Sequence, residues 1–255
     1  MTPLASMIMA SAALALPLPA TFATKQPPAG PLKLATANPI TAGIFFAATP
    51  TDTSLSPVVD ANAGPIAALD HLGQACTAWC SRAVSDGDRS GVHFDVPRID
   101  GKDWTIVVLA NNNYITGYGA HPFIDFYGDW NNRMGPCCVI YGKGGNAGID
   151  VRPNGGDLDA YARMATKANC EVQVFRMSGS TGKIYYYISG QKTEGTMGTN
   201  SCYVRRVNFF GKNGESGDER GDIRITSPLA IGWNRAITDA EQDSIIANPW
   251  QIYPG

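Results

Sequence analysis

The sequence predicts an all-β fold: two stacked antiparallel sheets with one short helix near the C-terminus and an extended arm in front. Three observations lead there. The 255 residues include 28 Gly and 17 Pro, which punctuate the chain too densely for long helices. Between these turn residues lie short runs whose apolar side chains recur at every second position, the period of a strand. A helix-start signature opens a single segment. The hydrophobic fraction of 44% supports a substantial core, and all-β sandwiches reach this length as one unit. The chain is therefore divided into an apolar arm and Pro-rich linker, residues 1–42, and one sandwich domain, residues 43–255.

Residues 1–24 are apolar and carry no charged side chain. One reading is a secretory signal peptide with Ala23 as the small residue before cleavage. The basic n-region is missing, because Lys25 is the first cation. The preferred reading is an arm that hides its apolar side chains against a neighbouring subunit. Residues 4–16 are the longest proline-free stretch, shorter than the ~20 residues of a membrane-crossing helix, so no span is expected. Residues 25–43, KQPPAGPLKLATANPITAG, form an extended connection.

The strands follow in order. GIFFAA (43–48) is the first. GVHFDV (91–96) sets Val92, Phe94 and Val96 on one face. WTIVVLA (104–110) is apolar almost throughout, the mark of a strand buried on both faces. PFIDFYGD (122–129) comes next. CEVQVFRM (170–177) and KIYYYISG (183–190) flank the turn SGSTG (178–182), so residues 170–190 form a hairpin. Strands at 202–211 and 222–234 close the sheets. Thr238 and Glu241 then make a T-x-x-E capping box. Ile245 and Ile246 give that helix its apolar face, and Asn248-Pro249 ends it.

The C-terminal third resembles the concanavalin-A-like, laminin-G-like lectin/glucanase superfamily. The family ending Trp/Tyr-Asn-Arg-Ala-Leu-Ser/Thr-x-x-Glu is met at Trp233, Asn234, Arg235, Ala236, Ile237, Thr238 and Glu241, with Ile237 in place of Leu. KIYYYISGQKTEGT looks like its strand–turn–strand. NPWQIYP from Asn248 resembles the terminus of members encoded in bacteriophage and prophage genomes, and KQPPAGPLKLATANPITAGIFFA resembles their opening. SGVHFDVPRID is similar to an early family strand, with Val96 where the family has Gly. The resemblance implies a jelly-roll sandwich that joins strands from both chain ends. It also implies a bacteriophage virion structural protein: a head decoration or head fibre, or a tail accessory component. Its partners would be other virion proteins held through the arm, further copies in a trimer or larger array, and a host surface glycan. The alternative is a carbohydrate-binding, receptor-recognising or secreted lectin-like domain, periplasmic or extracellular if residues 1–23 are a signal. A polysaccharide hydrolase is the weaker third reading.

The residues point away from catalysis. Glucanases place acid and nucleophile carboxylates on one strand facing one cleft, and no E-x-D-x-x-E string occurs among Glu171, Glu194, Glu215, Glu219 and Glu241. No G-x-S-x-G elbow exists. His71, His93 and His121 have no second His or Cys at i+4. KGGNAG (143–148) lacks the G-K-S/T of a phosphate loop. A net charge of −2 gives no basic field for nucleic acid. No enzyme and no obligatory cofactor are expected.

Two binding candidates remain. Asp86, Asp88 and Ser90 before Gly91 copy the first half of a calcium loop, but Pro97 stands at its twelfth position, where a bidentate Glu belongs. Concanavalin-like domains often bind calcium, so the resemblance keeps that site open. The second candidate is the segment 111–135, with Tyr114, Tyr118, Asp125, Tyr127, Asp129, Trp130 and Asn131. Sugars stack their CH faces on rings and hydrogen-bond their hydroxyls to amides and carboxylates. The alternative is that these rings fill the core and the asparagines make turns. Cys76, Cys80, Cys137, Cys138, Cys170 and Cys202 read as small buried thiols.

Overall fold

The computed structural model describes residues 33–52, 58–59, 63–69, 75–81, 91–115, 120–127, 135–141, 146–152, 160–165, 171–188, 190–196, 202–209 and 223–253. The signal or arm reading of residues 1–24 falls outside them. So do the calcium candidates Asp86, Asp88 and Ser90.

The strands in chain order are β1 (Ile44–Ala48), β2 (Val58–Val59), β3 (Ala63–Leu69), β4 (Ala75–Ser81), β5 (Val92–Gly101), β6 (Trp104–Ile115), β7 (Ala120–Tyr127) and β8 (Gly135–Tyr141). They continue as β9 (Asn146–Arg152), β10 (Ala160–Ala165), β11 (Glu171–Ser178), β12 (Lys183–Ile188), β13 (Gln191–Thr196), β14 (Cys202–Phe209) and β15 (Ile223–Trp233). A single α-helix among the described residues, α1 (Asp239–Ala247), follows them. One sheet has eight strands in the order β13-β12-β11-β6-β15-β4-β3, with β1 beside β15; the other has seven, β10-β9-β8-β7-β14-β5-β2. Every pairing is antiparallel.

The strand period sorts side chains between two cores. Trp104, Ile106 and Val108 point into the space between the sheets, with Phe175, Met177, Ile184, Tyr186 and Ile188 beside them. Val92, Phe94, Val204, Val207 and Phe209 meet them from the seven-stranded sheet. Phe46 joins the layers, edge-on to Phe94 with centroids 5.4 Å apart. Val107, Leu109, Val172, Val174, Leu229, Ile231 and Trp233 face the other way, into a second apolar cluster. The ends of the chain cover that cluster with Ile40, Ile237, Ile245, Trp250, Ile252 and Tyr253. The expectation that residues 104–110 are buried on both faces holds through Leu109, because the eight-stranded sheet is the middle layer of three.

Residues 34–42, read from sequence as linker, lie on this outer layer. The Ala35 N–H donates to the Ile252 carbonyl at 2.7 Å. Asn38 Nδ2 donates to the Gln251 carbonyl at 3.0 Å, and the Trp233 indole N–H donates to the Ile40 carbonyl at 2.8 Å. The 170–190 hairpin forms with Arg176 opposite Tyr185. The capping box is complete: Glu241 N donates to Thr238 Oγ1, and Thr238 N donates to Glu241 Oε2. Strand β5 runs past its expected end, through Pro97 to Gly101. Its pairing with β14 shifts register between Val204 and Arg206, opposite this stretch, so the missing Pro97 N–H interrupts no regular ladder. Cys76 and Cys80 form no disulfide and are half-buried, less enclosed than the sequence suggested.

Candidate functional site

The terminal layer covers the outer face of the eight-stranded sheet over β6, β11 and β15. Among the described residues no element covers the outer face of the seven-stranded sheet, where Asp95, Arg98, Asp100 and Arg205 are exposed. Antiparallel pairing carries one face straight across a sheet, since directly opposed residues share it. Val92 stands opposite Phe209, Phe209 opposite Ile124, Ile124 opposite Cys138, and Cys138 opposite Ile149. That apolar row starts from Val92 and Phe209, which are fully buried between the sheets.

One residue along each strand, the neighbouring register row is polar. It runs His93–Asn208–Asp125–Cys137–Asp150–Tyr161 across β5, β14, β7, β8, β9 and β10. Five strand steps of ~4.8 Å give it a length of about 24 Å. Two residues further along, Asp95 stands opposite Arg206, and Arg206 opposite Tyr127. Six strands thus contribute hydrogen-bonding residues to one continuous line.

Two charged pairs with described side chains mark the β5–β14 end. Arg206 Nε donates to Asp95 Oδ1 at 2.8 Å. That hydrogen bond holds the Asp95 carboxyl below the usual aspartate range against a smaller opposing effect of burial. Arg98 forks onto Asp100, with Nη2 to Oδ1 at 2.8 Å and Nε to Oδ2 at 3.0 Å. Its guanidinium lies over the Tyr203 ring, 4.2 Å from the centroid, and its hydrogen bonds lower the Asp100 carboxyl. Exposed pairs of this kind add little to stability. They do present fixed donors and ionised acceptors near neutral pH, which is what a polyhydroxylated ligand needs.

The structure divides the residues that sequence had grouped. Tyr114 lies in β6, opposite Arg224, in the eight-stranded sheet. Asp125 and Tyr127 lie in the seven-stranded sheet, opposite Asn208 and Arg206. The segment 111–135 therefore crosses from one sheet to the other, and Tyr114 shares no sheet with Asp125 and Tyr127. Tyr118, Asp129, Trp130 and Asn131 lie outside the described residues. Sequence reasoning missed His93, Asp95, Arg206 and Asn208. Their signal was present in the polar positions of V-H-F-D-V and R-R-V-N-F, between core residues. Among the described residues no three His, Cys, Asp or Glu side chains gather as metal ligands. No described helix is long and apolar enough to cross a membrane.

No protein-family profile matches the chain, and no curated protein matches it in sequence. Solved structures do match in fold. The binding domain of botulinum neurotoxin DC in complex with SialylT superposes with a TM-score of 0.59 at 11% identity, over 82% of this chain and 52% of that one. A botulinum neurotoxin type C structure, described by a cell entry dependent on two ganglioside molecules, gives 0.60 at 12%, over 84% and 52%. A further receptor binding domain gives 0.52 at 11%, over 80% and 46%. The chain spans about half the length of these proteins. The likeness is one of architecture: this chain folds as an antiparallel β-sandwich.

Proposed function

We propose that the chain is a carbohydrate-binding, receptor-recognising domain, and that a glycan lies along the open face of the seven-stranded sheet. One observation carries this reading: the polar register row that crosses six strands of the sheet whose outer face is left open among the described residues. A saccharide lying across the strands would meet amide, carboxylate, imidazole and phenol groups in succession. The fold neighbours support the reading, being binding domains, one of them in complex with SialylT. The role is recognition rather than hydrolysis.

A place in a bacteriophage particle remains part of the proposal. It rests on the resemblance at both chain ends and on the apolar residues 1–24. Such a particle component and a free lectin would use the same sheet face. Mass analysis of a purified particle separates them by showing the chain in stoichiometric copies or not at all.

The binding test is a glycan array followed by calorimetry on the best glycan, with Asp125→Ala and Arg206→Ala beside the wild-type chain. Each substitution is expected to weaken binding at least tenfold with unchanged thermal unfolding. Wild-type affinity in both variants, or an array without signal, overturns the assignment.

A further inference from the structure

A second constellation lies on the opposite side of the molecule, on the part of the eight-stranded sheet beyond the terminal layer. Strand register builds it. Arg176 of β11 stands opposite Tyr185 of β12, which stands opposite Glu194 of β13. Beside this row, Val174 stands opposite Tyr187, and Tyr187 opposite Lys192. Tyr185 and Tyr187 share one face of β12, their ring centroids 6.4 Å apart, and both are half-exposed. The N-terminus of α1 stands against this shelf and brings Asp239 to Arg176 at 2.6 Å.

The cations here are arranged around the two rings. Lys192 Nζ lies 4.3 Å from the Tyr185 centroid and 5.7 Å from that of Tyr187. The Arg176 guanidinium lies 4.9 Å and 5.7 Å from the same rings. It is buried, and it is fixed by donating to the Ile237 carbonyl at 3.0 Å and to Tyr187 Oη at 3.2 Å. Each cation also holds a carboxylate of the chain itself. Glu194 reaches Lys183 at 3.3 Å and Lys192 at 3.9 Å, while Asp239 is 81% exposed even as it contacts Arg176. Three cations against two carboxylates leave the shelf positive in a chain of net charge −2. Solvent-facing carboxylates already occupy the places that an acid group from outside would take.

We infer that this shelf is a second saccharide site, distinct from the open sheet face, and that it takes a sugar carrying a carboxylate or sulfate. The anionic group draws Lys192 off the tyrosine rings and displaces the Asp239 or Glu194 carboxylate. The uncovered ring faces then accept the CH face of the pyranose. A neutral sugar offers the ammonium only hydroxyl acceptors, weaker than a carboxylate or sulfate, and competes with it for the same ring faces. Lys192 is therefore the specificity-determining residue, and the rings supply the platform.

The test uses the full chain on an array of carboxylated, sulfated and neutral glycans, followed by calorimetry on the strongest acidic glycan and its neutral counterpart. Lys192→Glu changes only an exposed side chain and is expected to lower affinity for the acidic glycan at least tenfold. Tyr185→Ala with Tyr187→Ala is expected to abolish it, with circular dichroism reporting that the sandwich persists. Asp125→Ala leaves this binding within twofold, which separates failure of the shelf from failure of the open-face reading. Absence of acidic-glycan binding, unchanged affinity in Lys192→Glu, or gain of neutral-sugar binding as the main effect in wild type overturns the inference.

Discussion

Removing the Arg235 side chain tests how the two chain ends are held on the sandwich. Its Nε donates to the Ala42 carbonyl at 2.7 Å. Its Nη1 and Nη2 fork onto Glu241 at 2.9 and 2.7 Å, and Nη2 also approaches the Ile40 carbonyl at 3.4 Å. One guanidinium thus fastens both the N-terminal segment and α1 to the end of β15. The pair is neither fully exposed nor fully buried, at 29% and 25%. An exposed pair is worth about 0–1 kcal/mol, and breaking a buried one costs about 3–5 kcal/mol. Glu241 keeps two Thr238 contacts after the change, at 2.8 and 3.1 Å, so its carboxylate is not orphaned. Arg235→Ala is therefore expected to cost about 2 kcal/mol, between those limits. For a domain of this size that lowers the melting temperature by about 4–8 °C.

The assay is thermal unfolding followed by circular dichroism at neutral and acid pH. Burial raises the Glu241 carboxyl, but the Arg235 and Thr238 interactions outweigh it and hold it below the usual glutamate value. A lowered folded-state pKa stabilises above the unfolded value and is lost as pH falls through the folded one. The gap between wild type and Arg235→Ala is thus full at neutral pH and shrinks below about pH 4. Arg235→Lys keeps the charge but not the fork, and is expected to fall between the two. An Arg235→Ala melt within one degree or so of wild type, or a gap that persists in acid, would refute the reasoning.

Further outcomes follow from other parts of the structure. Phe175 stacks on Tyr186 with centroids 4.7 Å apart and is 2% exposed; Phe175→Ala is expected to cost about 3–5 kcal/mol, read from the urea midpoint at constant slope. Gly43 has φ +81°, and a Cβ there would come within 2.7 Å of Asn234 Oδ1. Gly43→Ala should cost about 1–2 kcal/mol, whereas Gly64→Ala, with open space around it, should be neutral or gain slightly in the same melt. Burial pushes the Tyr253 hydroxyl well above its usual pKa, with Asp52 adding to the effect. The unfolded chain then loses its phenolic proton first, so stability drops as pH rises beyond about 10. Tyr253→Phe should flatten that alkaline loss in a pH series of melts.

Much of the fold was legible because short-range rules governed it. WTIVVLA announced a strand covered on both faces, and T-x-x-E announced the start of α1. The hairpin around SGSTG was set by its turn and by matched apolar flanks. QKTEGT of β13 was legible only through the family resemblance: it has no apolar face, and pairing with β12 makes it a strand. Strands β9 and β10 were missed for a related reason, since their apolar positions are few and interleaved with Gly, Ala and charged residues; β8, GPCCVIY, was missed because its apolar run shows no alternation.

The sites fared differently. Asp125 and Tyr127 were named from composition, and register sets them opposite Asn208 and Arg206 in the seven-stranded sheet. Their neighbours in space, His93, Asp95, Arg206 and Asn208, come from β5 and β14, far away in the chain. Tyr114, eleven residues before Asp125 in sequence, belongs to the other sheet. Alternation, turn chemistry and capping act over a few residues, so the chain alone determined the two-layer β class and its closing helix. Which strands become neighbours depends on long-range pairing and on burying apolar faces against each other. For that reason only the tertiary structure decided that the chain ends cover the middle of one sheet and that polar residues of six strands align across the other.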